Sequence, residues 1–456
     1  MTKLDWLLII CLTLFALIAG QHHLGIDQDA YYLPAVFKQL NPSLYPNDLF
    51  VNSLNTYVTY FYPALAAITK LTSLNFAFLS AHLTSIFLFI LGLFLFSRNL
   101  FKSSAPAILA SLFLILPKPA LGGINVAINH GYIYQTFFAF SLSLISLWLF
   151  FTRRYPLAFI LAGFIALIQS LMAIHLMIVF NLIFLFKKQF SHLKYSLFSL
   201  PFFLPLVINN LKFKVIGSAT ASFTDWLTLN RLRSSHHLFP DTWSLKTWVA
   251  GLWPVIPTLL LPAHKAFSRL KLFSAAALVS FIPAYIFTSL YPIKLIIQLQ
   301  FFRSGMWLTT LGWLSLSYLI LKLKPLSLKA ILIFTLLVIT LKPANKNPLE
   351  TFALSPHDQD WLAAQIWLKD HTPQTAKIYL PLNFPTFRAF SQRSTSLTWP
   401  DMTTALADDG MVKASLNRLN QPDIPTPDYQ FAVYPAGKPQ SNLPLYQNSS
   451  FAIYPL

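Results

Sequence analysis

Apolar runs separated by short polar segments dominate the chain as far as about residue 343. Runs of about 14 to 22 residues recur, close to the length that a helix needs to cross a membrane. Because the membrane interior contains no water, each backbone N–H and C=O group there must bond within the protein, so helices are predicted. We predict eleven crossings, at about residues 4–20, 76–97, 105–118, 131–151, 157–170, 172–186, 197–211, 247–263, 273–292, 305–321 and 329–343.

Short basic clusters between the apolar runs set the predicted orientation. Lys and Arg concentrate in short cytoplasmic loops, so the clusters and Lys3 indicate an N-terminus inside and a C-terminus outside. The acidic residues agree, since of the 15 acids only Asp5 falls on the predicted inner side. The clusters are Arg98 and Lys102; Arg153 and Arg154; Lys187, Lys188 and Lys194; Lys265, Arg269 and Lys271; and Lys322, Lys324 and Lys329.

The apolar run at 157–186 decides the orientation of everything after it. It lies between two basic clusters and therefore needs an even number of crossings. We predict a break in "QSLMAIH", near Ser170 to His175, because a turn at membrane depth is tolerated where it lines a cavity inside the protein. One long tilted helix is the alternative. The first run, after Lys3, is interpreted as a retained signal anchor.

The predicted fold is mostly α, a polytopic transmembrane helical bundle with a small C-terminal α/β domain outside the membrane. The membrane domain covers 1–343 with exterior loops at 21–75 and 212–248, and the second domain covers 344–456. In the latter, Ser355 is suited to cap a helix that has Pro356 at its first position. The segments "AKIYLP", "YQFAVYP" and "SFAIYP" predict strands.

Composition agrees with a membrane protein and limits other functions. With 55% hydrophobic and 11% charged residues, the chain is not a soluble globule. The net charge of +18 could indicate nucleic-acid binding, but the basic residues flank apolar runs instead of forming one polar face, so we predict none. Cys11 is the single cysteine, which excludes a disulfide within the chain.

Negative charge gathers in "HHLGIDQDAYYLPAVFKQLNPSLYPNDLF", residues 22–50 of the first exterior loop. Asp27 and Asp29 share a face only if the backbone there is extended. Such a pair could activate an acceptor hydroxyl as a base, or hold Mg²⁺ or Mn²⁺ near a phosphate. Asp29 could equally cap a helix over "AYYLPAVFKQL". Asp48 is typical of a turn, and a cavity wall is its alternative position.

Basic and polar side chains gather in two further exterior segments, against the positive-inside bias. Guanidinium groups chelate phosphate oxygens, so we predict a lipid-phosphate site; pairing with ordinary lipid headgroups is the alternative. The histidines lack companion ligands at a zinc spacing. His82 and His175 lie in or beside apolar helices, where a hydrogen-bonded core position or a cavity wall is predicted. The site set is Arg231, Arg233, His236 and His237 in "NRLRSSHHLFPDTW", with Gln300 and Arg303 in "QLQFFR".

An N-terminal helix, an exterior loop opening with "DQD", many spans and an exterior C-terminal domain together resemble the GT-C superfamily of polyprenyl-phosphate-sugar-dependent glycosyltransferases. Locally, "RSSHHLFPDTW", "QFFR" and "FRAFSQRS" are similar to a bacterial branch of uncharacterised GT-C-like membrane proteins. The resemblance implies a base or acceptor-positioning role for Asp27 or Asp29, and phosphate binding by Arg231, Arg233 and Arg303.

The same resemblance implies a location and a set of partners. The protein would lie in the bacterial inner membrane, with the active site and C-terminal domain extracytoplasmic. Its partners would be membrane lipid, a polyprenyl-phosphate-linked sugar donor, and a glycan, lipid or protein acceptor.

Two other functions stay open from the sequence. Coupled transporters usually place acids within membrane helices, and none of the 15 acids lies in a predicted midplane position. A non-catalytic cell-envelope assembly protein could keep the fold without the chemistry, because fold does not imply function. An acidic pair that opens into a cavity with the arginines favours the enzyme, whereas a filled cavity favours the assembly protein.

Overall fold

The computed structural model describes residues 1–20, 22–25, 29–128, 130–216, 221–340, 355–421, 423–438 and 440–456. The chain is mostly helical, with a few strands. It divides into two compact units, which we call the helical unit and the mixed unit. The helical unit comprises Met1–His22, Leu79–Val207 and Ser235–Pro348; the mixed unit comprises His23–Phe78, Ile208–Ser234 and Leu349–Leu456.

Twenty α-helices account for most of the described residues. Shorter 3₁₀ segments join several of them, notably Phe190–Ser199, Phe301–Ser304 and Pro400–Leu406. The helices are α1 Lys3–Gly20, α2 Asp29–Leu40, α3 Leu49–Ser53, α4 Phe61–Leu71, α5 Leu74–Phe101, α6 Ala105–Phe113, α7 Gln135–Phe151, α8 Tyr155–Ile168, α9 Ser170–Phe186, α10 Leu200–Ile216, α11 Phe223–Leu238, α12 Leu245–Leu252, α13 Val255–Leu259, α14 Lys265–Tyr285, α15 Lys294–Leu299, α16 Gly305–Lys322, α17 Leu326–Thr340, α18 Pro356–His371, α19 Arg388–Ser391 and α20 Asp409–Asn420.

Seven strands complete the described structure. A two-stranded hairpin lies within the helical unit, and a five-stranded sheet lies within the mixed unit. The strands are β1 Lys118–Ala120, β2 Ile124–Val126, β3 Lys377–Tyr379, β4 Ser394–Thr395, β5 Phe431–Pro435, β6 Tyr446–Gln447 and β7 Phe451–Pro455.

Apolar helices identify an integral membrane protein. Within the described residues, 4 helical segments are long and apolar enough to cross a membrane, and α7, α8 and α9 are shorter apolar helices. The count of eleven crossings stays a prediction. Some predicted spans are interrupted by local chemistry: Pro254 and Pro257 accompany the division of the 247–263 run into α12 and α13, since proline lacks the N–H that continues a helix. The 4 long segments are Lys3–Gly20, Leu74–Phe101, Phe190–Asn209 and Lys265–Leu290.

The apolar run at 157–186 forms two antiparallel helices, as predicted, but the break lies at Gln169, and Ser170 to His175, where the turn was expected, are the first residues of α9. Gln169 breaks the run with extended backbone angles, φ −150° and ψ 99°, and its side-chain oxygen caps α9. The freed Ile168 carbonyl accepts a hydrogen bond from the Gln135 amide, 2.5 Å away. Tyr155 at the start of α8 contacts Phe184 near the end of α9, with ring centroids 5.0 Å apart. One continuous helix is therefore excluded.

A buried hairpin follows α6, where the 105–118 span was predicted to continue as helix. The helix ends at Phe113, and β1 and β2 then pair antiparallel, with Lys118 opposite Val126. Leu121 in the turn is fully buried, as are Ala127 and Ile128 after β2. Irregular backbone is tolerated among apolar helices where it pairs internally or lines a polar cavity.

The mixed unit is built on a sheet with strand order β4-β3-β5-β7-β6. Strands β4, β3 and β5 run parallel, and β7 pairs antiparallel with β5 and β6. The three predicted strands are β3, β5 and β7, so this part of the fold class is confirmed. Helix α18 packs against β6 and β7, and Ser355 caps it at the backbone N–H of Asp358 as predicted.

Candidate functional site

The β1–β2 turn makes a close approach to the Phe302–Arg303 backbone. Gly122 has φ +79°, in the left-handed region that disfavours residues with a side chain. A Cβ atom added there would lie 3.2 Å from the Arg303 backbone nitrogen. Glycine at this position therefore lets the hairpin lie against the segment that carries Arg303.

The next glycine makes the second approach, to the histidine pair. A Cβ atom on Gly123, which has φ +64°, would lie 2.6 Å from the His236 carbonyl oxygen. His237 Nδ1 lies 2.6 Å from the Gly122 carbonyl oxygen, so Nδ1 carries the proton and donates it there. The ring centroids of His236 and His237 lie 3.9 Å apart. The hairpin turn thus contacts both the histidine pair and the Arg303 segment.

Gln300 and Arg303 occupy a short irregular connection before α16. Gln300 adopts left-handed angles, φ 50° and ψ 46°, and ends α15. Its carbonyl accepts a hydrogen bond from the Arg303 backbone at 3.0 Å. The Gln300 side chain is buried, and its Oε1 has no hydrogen-bond partner among the described residues. A buried amide oxygen of this kind favours a polar ligand or water, because desolvation without a bond is costly.

His175 is buried on α9 beside the same connection. Its Nε2 contacts the Leu299 carbonyl oxygen, and its ring stacks on Phe301 with centroids 5.4 Å apart. Since Nε2 donates to the carbonyl, Nδ1 is an acceptor, and within the described part of the chain it has no hydrogen-bond partner. The Arg303 charge also acts on this ring. Three of the predicted residues, His175, Gln300 and Arg303, are therefore neighbours.

A row of histidines and tyrosines leads to the same place, and of its members the sequence predicts only His82, which is fully buried. His22 and His82 approach to 2.9 Å through their Nδ1 atoms, so His82 is hydrogen-bonded in the core. His82 also bonds to the backbone of His130, whose Nε2 lies 3.0 Å from the Tyr134 hydroxyl. The Arg303 charge acts on Tyr134. The polar segment "NHGYIYQ" was the signal for these residues.

The arginines of α11 belong to the mixed unit. Arg231 is half-buried there. Arg233 donates to the Trp399 carbonyl at 2.8 Å and to the Thr403 hydroxyl at 3.1 Å, and its guanidinium lies over the Trp399 ring. Burial lowers the pKa of Arg233, and the Tyr31 and Asp401 groups oppose that shift. Arg233 thus holds residues 399–403, and its convergence with Arg303 on one phosphate stays a prediction.

The acidic pair is only partly covered by the described structure. Asp27 and the side chain of Asp29 lie outside the described residues, and Asp29 is the first residue of α2. The helix predicted over "AYYLPAVFKQL" is confirmed. The turn before the pair is packed on α19, since a Cβ on Gly25, which has φ +75°, would lie 2.5 Å from the Phe390 ring. The catalytic role of Asp27 and Asp29 stays a prediction.

Asp48 is fully buried, which differs from the cavity-lining position that the sequence left open. It caps α3 at the Val51 N–H, as a turn aspartate would. Its second oxygen accepts from Arg388 Nε at 2.8 Å and from the Thr395 N–H at 2.9 Å. Arg388 also pairs with Asp401 at 2.9 Å. Because "FRAFSQRS" lies more than 300 positions from Asp48, no local sequence pattern predicts this pairing.

Arg388, Asp48 and Asp401 form a buried charge network in which the neighbouring charges affect the ionisation of Arg388 and Asp401. Burial favours the neutral form of Arg388, but the Asp401 and Asp48 carboxylates outweigh it and raise the pKa of Arg388. Burial raises the pKa of Asp401, and the Arg388 charge opposes that shift. One guanidinium thus balances two carboxylates in a water-free interior.

The described residues do not form a metal site. No three His, Cys, Asp or Glu side chains come together as ligands in the described ranges. A Mg²⁺ or Mn²⁺ ion held by Asp27 and Asp29 stays a prediction, because those carboxylates lie outside the described structure.

Comparison with known proteins identifies the fold. Residues 359–412 match a family model described as a domain of unknown function, DUF6798. A search of the curated proteins found no significant match. The crystal structure of ArnT from Cupriavidus metallidurans bound to undecaprenyl phosphate matches with TM-score 0.56 at 12% identity, covering 99% of this chain and 98% of ArnT.

The apo crystal structure of the same ArnT matches with TM-score 0.43 at 13% identity, covering 98% and 97% of the two chains. ArnT is a GT-C glycosyltransferase, so the GT-C-like fold predicted from the sequence is confirmed.

Proposed function

We propose that the protein is an integral membrane glycosyltransferase that transfers a sugar from a polyprenyl-phosphate donor to an acceptor outside the cytoplasm. The membrane would be the bacterial inner membrane, and the acceptor a glycan, lipid or protein. Arg303 would bind the donor phosphate, with His236, His237, Arg231 and Arg233 contributing further positive or donor groups.

One observation carries this proposal: the hairpin turn, His237, Gln300, His175 and Arg303 form a polar cluster inside an apolar helical unit, with His175 and Gln300 buried and His237 and Arg303 half-buried. Buried polar groups are expensive in a membrane protein and usually serve a ligand or a transport path. In this cluster the cation is Arg303, and the two buried hydrogen-bond acceptors are His175 Nδ1 and Gln300 Oε1. A sugar phosphate needs both, since its phosphate is anionic and its hydroxyls donate hydrogen bonds.

The proposed reaction uses Asp29, with Asp27 as second choice, as the base. The acceptor hydroxyl oxygen attacks the anomeric carbon while its proton passes to the carboxylate. The bond between the anomeric carbon and the phosphate oxygen breaks, and its electron pair leaves with the polyprenyl phosphate. Arg303 stabilises the negative charge that grows on the departing phosphate. The ArnT structure with undecaprenyl phosphate supports this ligand class through a shared fold.

Binding of undecaprenyl phosphate by the purified full chain tests the proposal. Native mass spectrometry is expected to show the lipid bound to the wild type, and Arg303→Gln is expected to weaken binding. A charge-assisted hydrogen bond to phosphate contributes about 1.5 to 3 kcal/mol, so the loss is about tenfold to a hundredfold. Arg303→Lys should keep part of the affinity, because it keeps the charge without the planar donors.

Lys246→Gln is the matched control, since Lys246 is an exposed cation on α12 of the same unit. It should bind the lipid as the wild type does. Equal binding by wild type and Arg303→Gln would remove Arg303 from the site. The assembly-protein alternative also permits lipid binding, and the Asp29 variant described below separates it from the enzyme.

A further inference from the structure

Three cations line one cavity at the ends of four helices of the helical unit. Arg153 follows α7, Lys187 follows α9, and Arg269 lies near the start of α14. Tyr155 and Gln189 add polar groups to the cavity lining. The other lining side chains are apolar: Phe150 and Phe151 at the C-terminal end of α7, and Ile183 and Phe184 near the end of α9. The three cations come from three separate segments of the chain and converge on this cavity.

No carboxylate balances these cations within the described residues. The sequence of the helical unit contains Asp5 and Asp241 as its acids. Asp5 pairs with Arg98 at 2.6 Å, and Asp241 accepts a hydrogen bond from Ser289. Partial burial, followed by the Arg269 and Arg153 charges, lowers the pKa of Lys187, which lies beyond the end of α9. A bound anion would relieve this mutual repulsion.

The backbone adds to the positive potential of the cavity. Helix α8 begins at Tyr155 in the cavity lining, and its N-cap residue, Arg154, makes no side-chain capping bond. The first N–H groups of a helix lack internal partners, and the helix dipole places partial positive charge there. Arg269 is held toward the cavity by donation to the Phe151 carbonyl at 2.6 Å. An anion here would meet the side-chain cations together with the free N–H groups at the start of α8, except at Pro156, which has no N–H.

This cavity is separate from the site proposed for the sugar donor. Tyr134, which the Arg303 charge reaches, immediately precedes α7, whereas Phe151 ends it. The helix has 17 residues, so its ends lie about 25 Å apart at 1.5 Å per residue. Leu157, Leu185 and Phe186 are exposed at the α8 and α9 ends beside the cavity, where acyl chains would lie.

We propose that this cavity binds the phosphodiester headgroup of an anionic phospholipid. The cations and the start of α8 bind the phosphate, and the exposed apolar side chains contact the acyl chains. Basic pockets between membrane helices recognise such headgroups. A free phosphate would use the same cations but would gain nothing from the apolar surface. The inference is independent of the proposed glycosyltransferase activity, because it concerns another end of the helices and another ligand.

Binding of phosphatidylglycerol to the delipidated full chain in detergent tests the site, measured by native mass spectrometry. The wild type is expected to bind phosphatidylglycerol more tightly than phosphatidylcholine, and equal amounts of inorganic phosphate should not displace it. Arg153→Gln/Lys187→Gln is expected to weaken phosphatidylglycerol binding by about tenfold or more. This double variant leaves the Arg269 bond to Phe151 intact.

Arg154→Gln/Lys188→Gln is the matched control, because it removes two cations from the same two loops at positions that do not line the cavity. It should bind phosphatidylglycerol like the wild type. Equal loss in both double variants, or no loss in the first, would overturn the proposal. Displacement by inorganic phosphate would overturn the lipid assignment. Lys187→Gln alone, at an exposed position, repeats the test should the first double variant not fold, with a loss of about threefold to fivefold expected.

Discussion

Arg388 carries a positive charge into the interior of the mixed unit, where it joins two segments that are distant in sequence. Its partners are Asp48 from the first exterior loop and Asp401 from the C-terminal region, and all three side chains are excluded from water. Tyr45 adds a hydrogen bond to the Arg388 carbonyl at 2.9 Å. Removing one member of a buried charge network leaves the others uncompensated, which costs more than the network contributes while intact.

Replacing Arg388 with Met is therefore expected to destabilise the protein strongly. The substitution leaves two buried carboxylates facing each other, and the free energy of unfolding should fall by about 3 to 5 kcal/mol. Thermal unfolding of the purified protein in detergent measures the effect. Lys413→Gln on α20 is the control, because Lys413 is exposed and should change stability by no more than about 0.5 kcal/mol. Equal melting temperatures for the two variants would contradict the role given to the network.

Asp29→Asn separates the catalytic prediction from the capping one. Asn caps a helix about as well as Asp, so the melting temperature should stay close to that of the wild type. Asn cannot accept a proton at neutral pH, so sugar transfer, or a glycan phenotype in cells, should fall by about 10² to 10⁴. Asp225→Asn, at an exposed acid on α11, should leave transfer unchanged. Full activity in folded Asp29→Asn and Asp27→Asn variants would leave the enzyme proposal without its base.

At the residue scale, the sequence predicts contacts between residues that are close in the chain, but it does not predict contacts between residues that are far apart in the chain. Ser355 was predicted to cap α18 because the capping bond joins residues three apart. The pairing of Asp48 with Arg388 spans 340 positions and depends on how the sheet and α3 come together. His175, Gln300 and Arg303 were predicted individually from residue type and membrane position. Their proximity depends on the left-handed turn at Gln300, for which the sequence carried no signal.

Among the elements, the β1–β2 hairpin contacts both the histidine pair and the Arg303 segment of the candidate site. It begins at Lys118, where the sequence predicts helix. The apolar residues around it fit a membrane helix, so the sequence predicts a span that continues to residue 118. A Gly-Gly pair between two short apolar runs is nevertheless a recognised hairpin signal. The α8–α9 break was predicted because a polar "QS" interrupts an apolar run whose flanking charges require two crossings.

Gly123→Ala should damage the site through this hairpin. The added Cβ meets the His236 carbonyl at 2.6 Å, and φ is +64°, so the turn must move. We expect the left-handed strain alone to cost about 1 to 2 kcal/mol, with a further cost from the displacement. Undecaprenyl-phosphate binding should weaken together with stability, because His237 and the Arg303 segment both contact this turn.

Gly437→Ala is the control for that prediction. Gly437 has φ +81°, but no atom within the described structure lies within 4 Å of an added Cβ. It therefore introduces similar backbone strain without a collision. The control should lose about 1 kcal/mol of stability and keep lipid binding. Lipid binding by Gly123→Ala at the level of the control would show that the hairpin does not position the site.

For the whole molecule, the order of apolar runs and exterior segments, with "DQD" in the first loop, resembles the GT-C superfamily, and that resemblance predicts the fold although sequence identity to ArnT is only 12%. Span lengths and loop charges survive extensive substitution because the membrane imposes them on any sequence. The composition of the compact units was not predictable in this way. The sequence division at residue 343 separates the first exterior loop from the C-terminal region, whereas His23–Phe78 belongs to the same compact unit as Leu349–Leu456.

Orientation in the membrane is the remaining prediction for the whole molecule. The basic clusters and the antiparallel α8 and α9 pair require an even number of crossings between residues 154 and 187, so the loops at 154 and 194 should share one side. The two spans predicted at 105–118 and 131–151 place the loop at 104 on that side as well. Reporter fusions measure this directly, with enzymes that are active on one side only. A swap between the fusions at Lys194 and Ser222 would contradict the orientation assigned after α9. Fusions at Ser104, Lys194 and Leu326 are expected to report the cytoplasm, and those at Asn55, Ser222 and Thr375 the exterior.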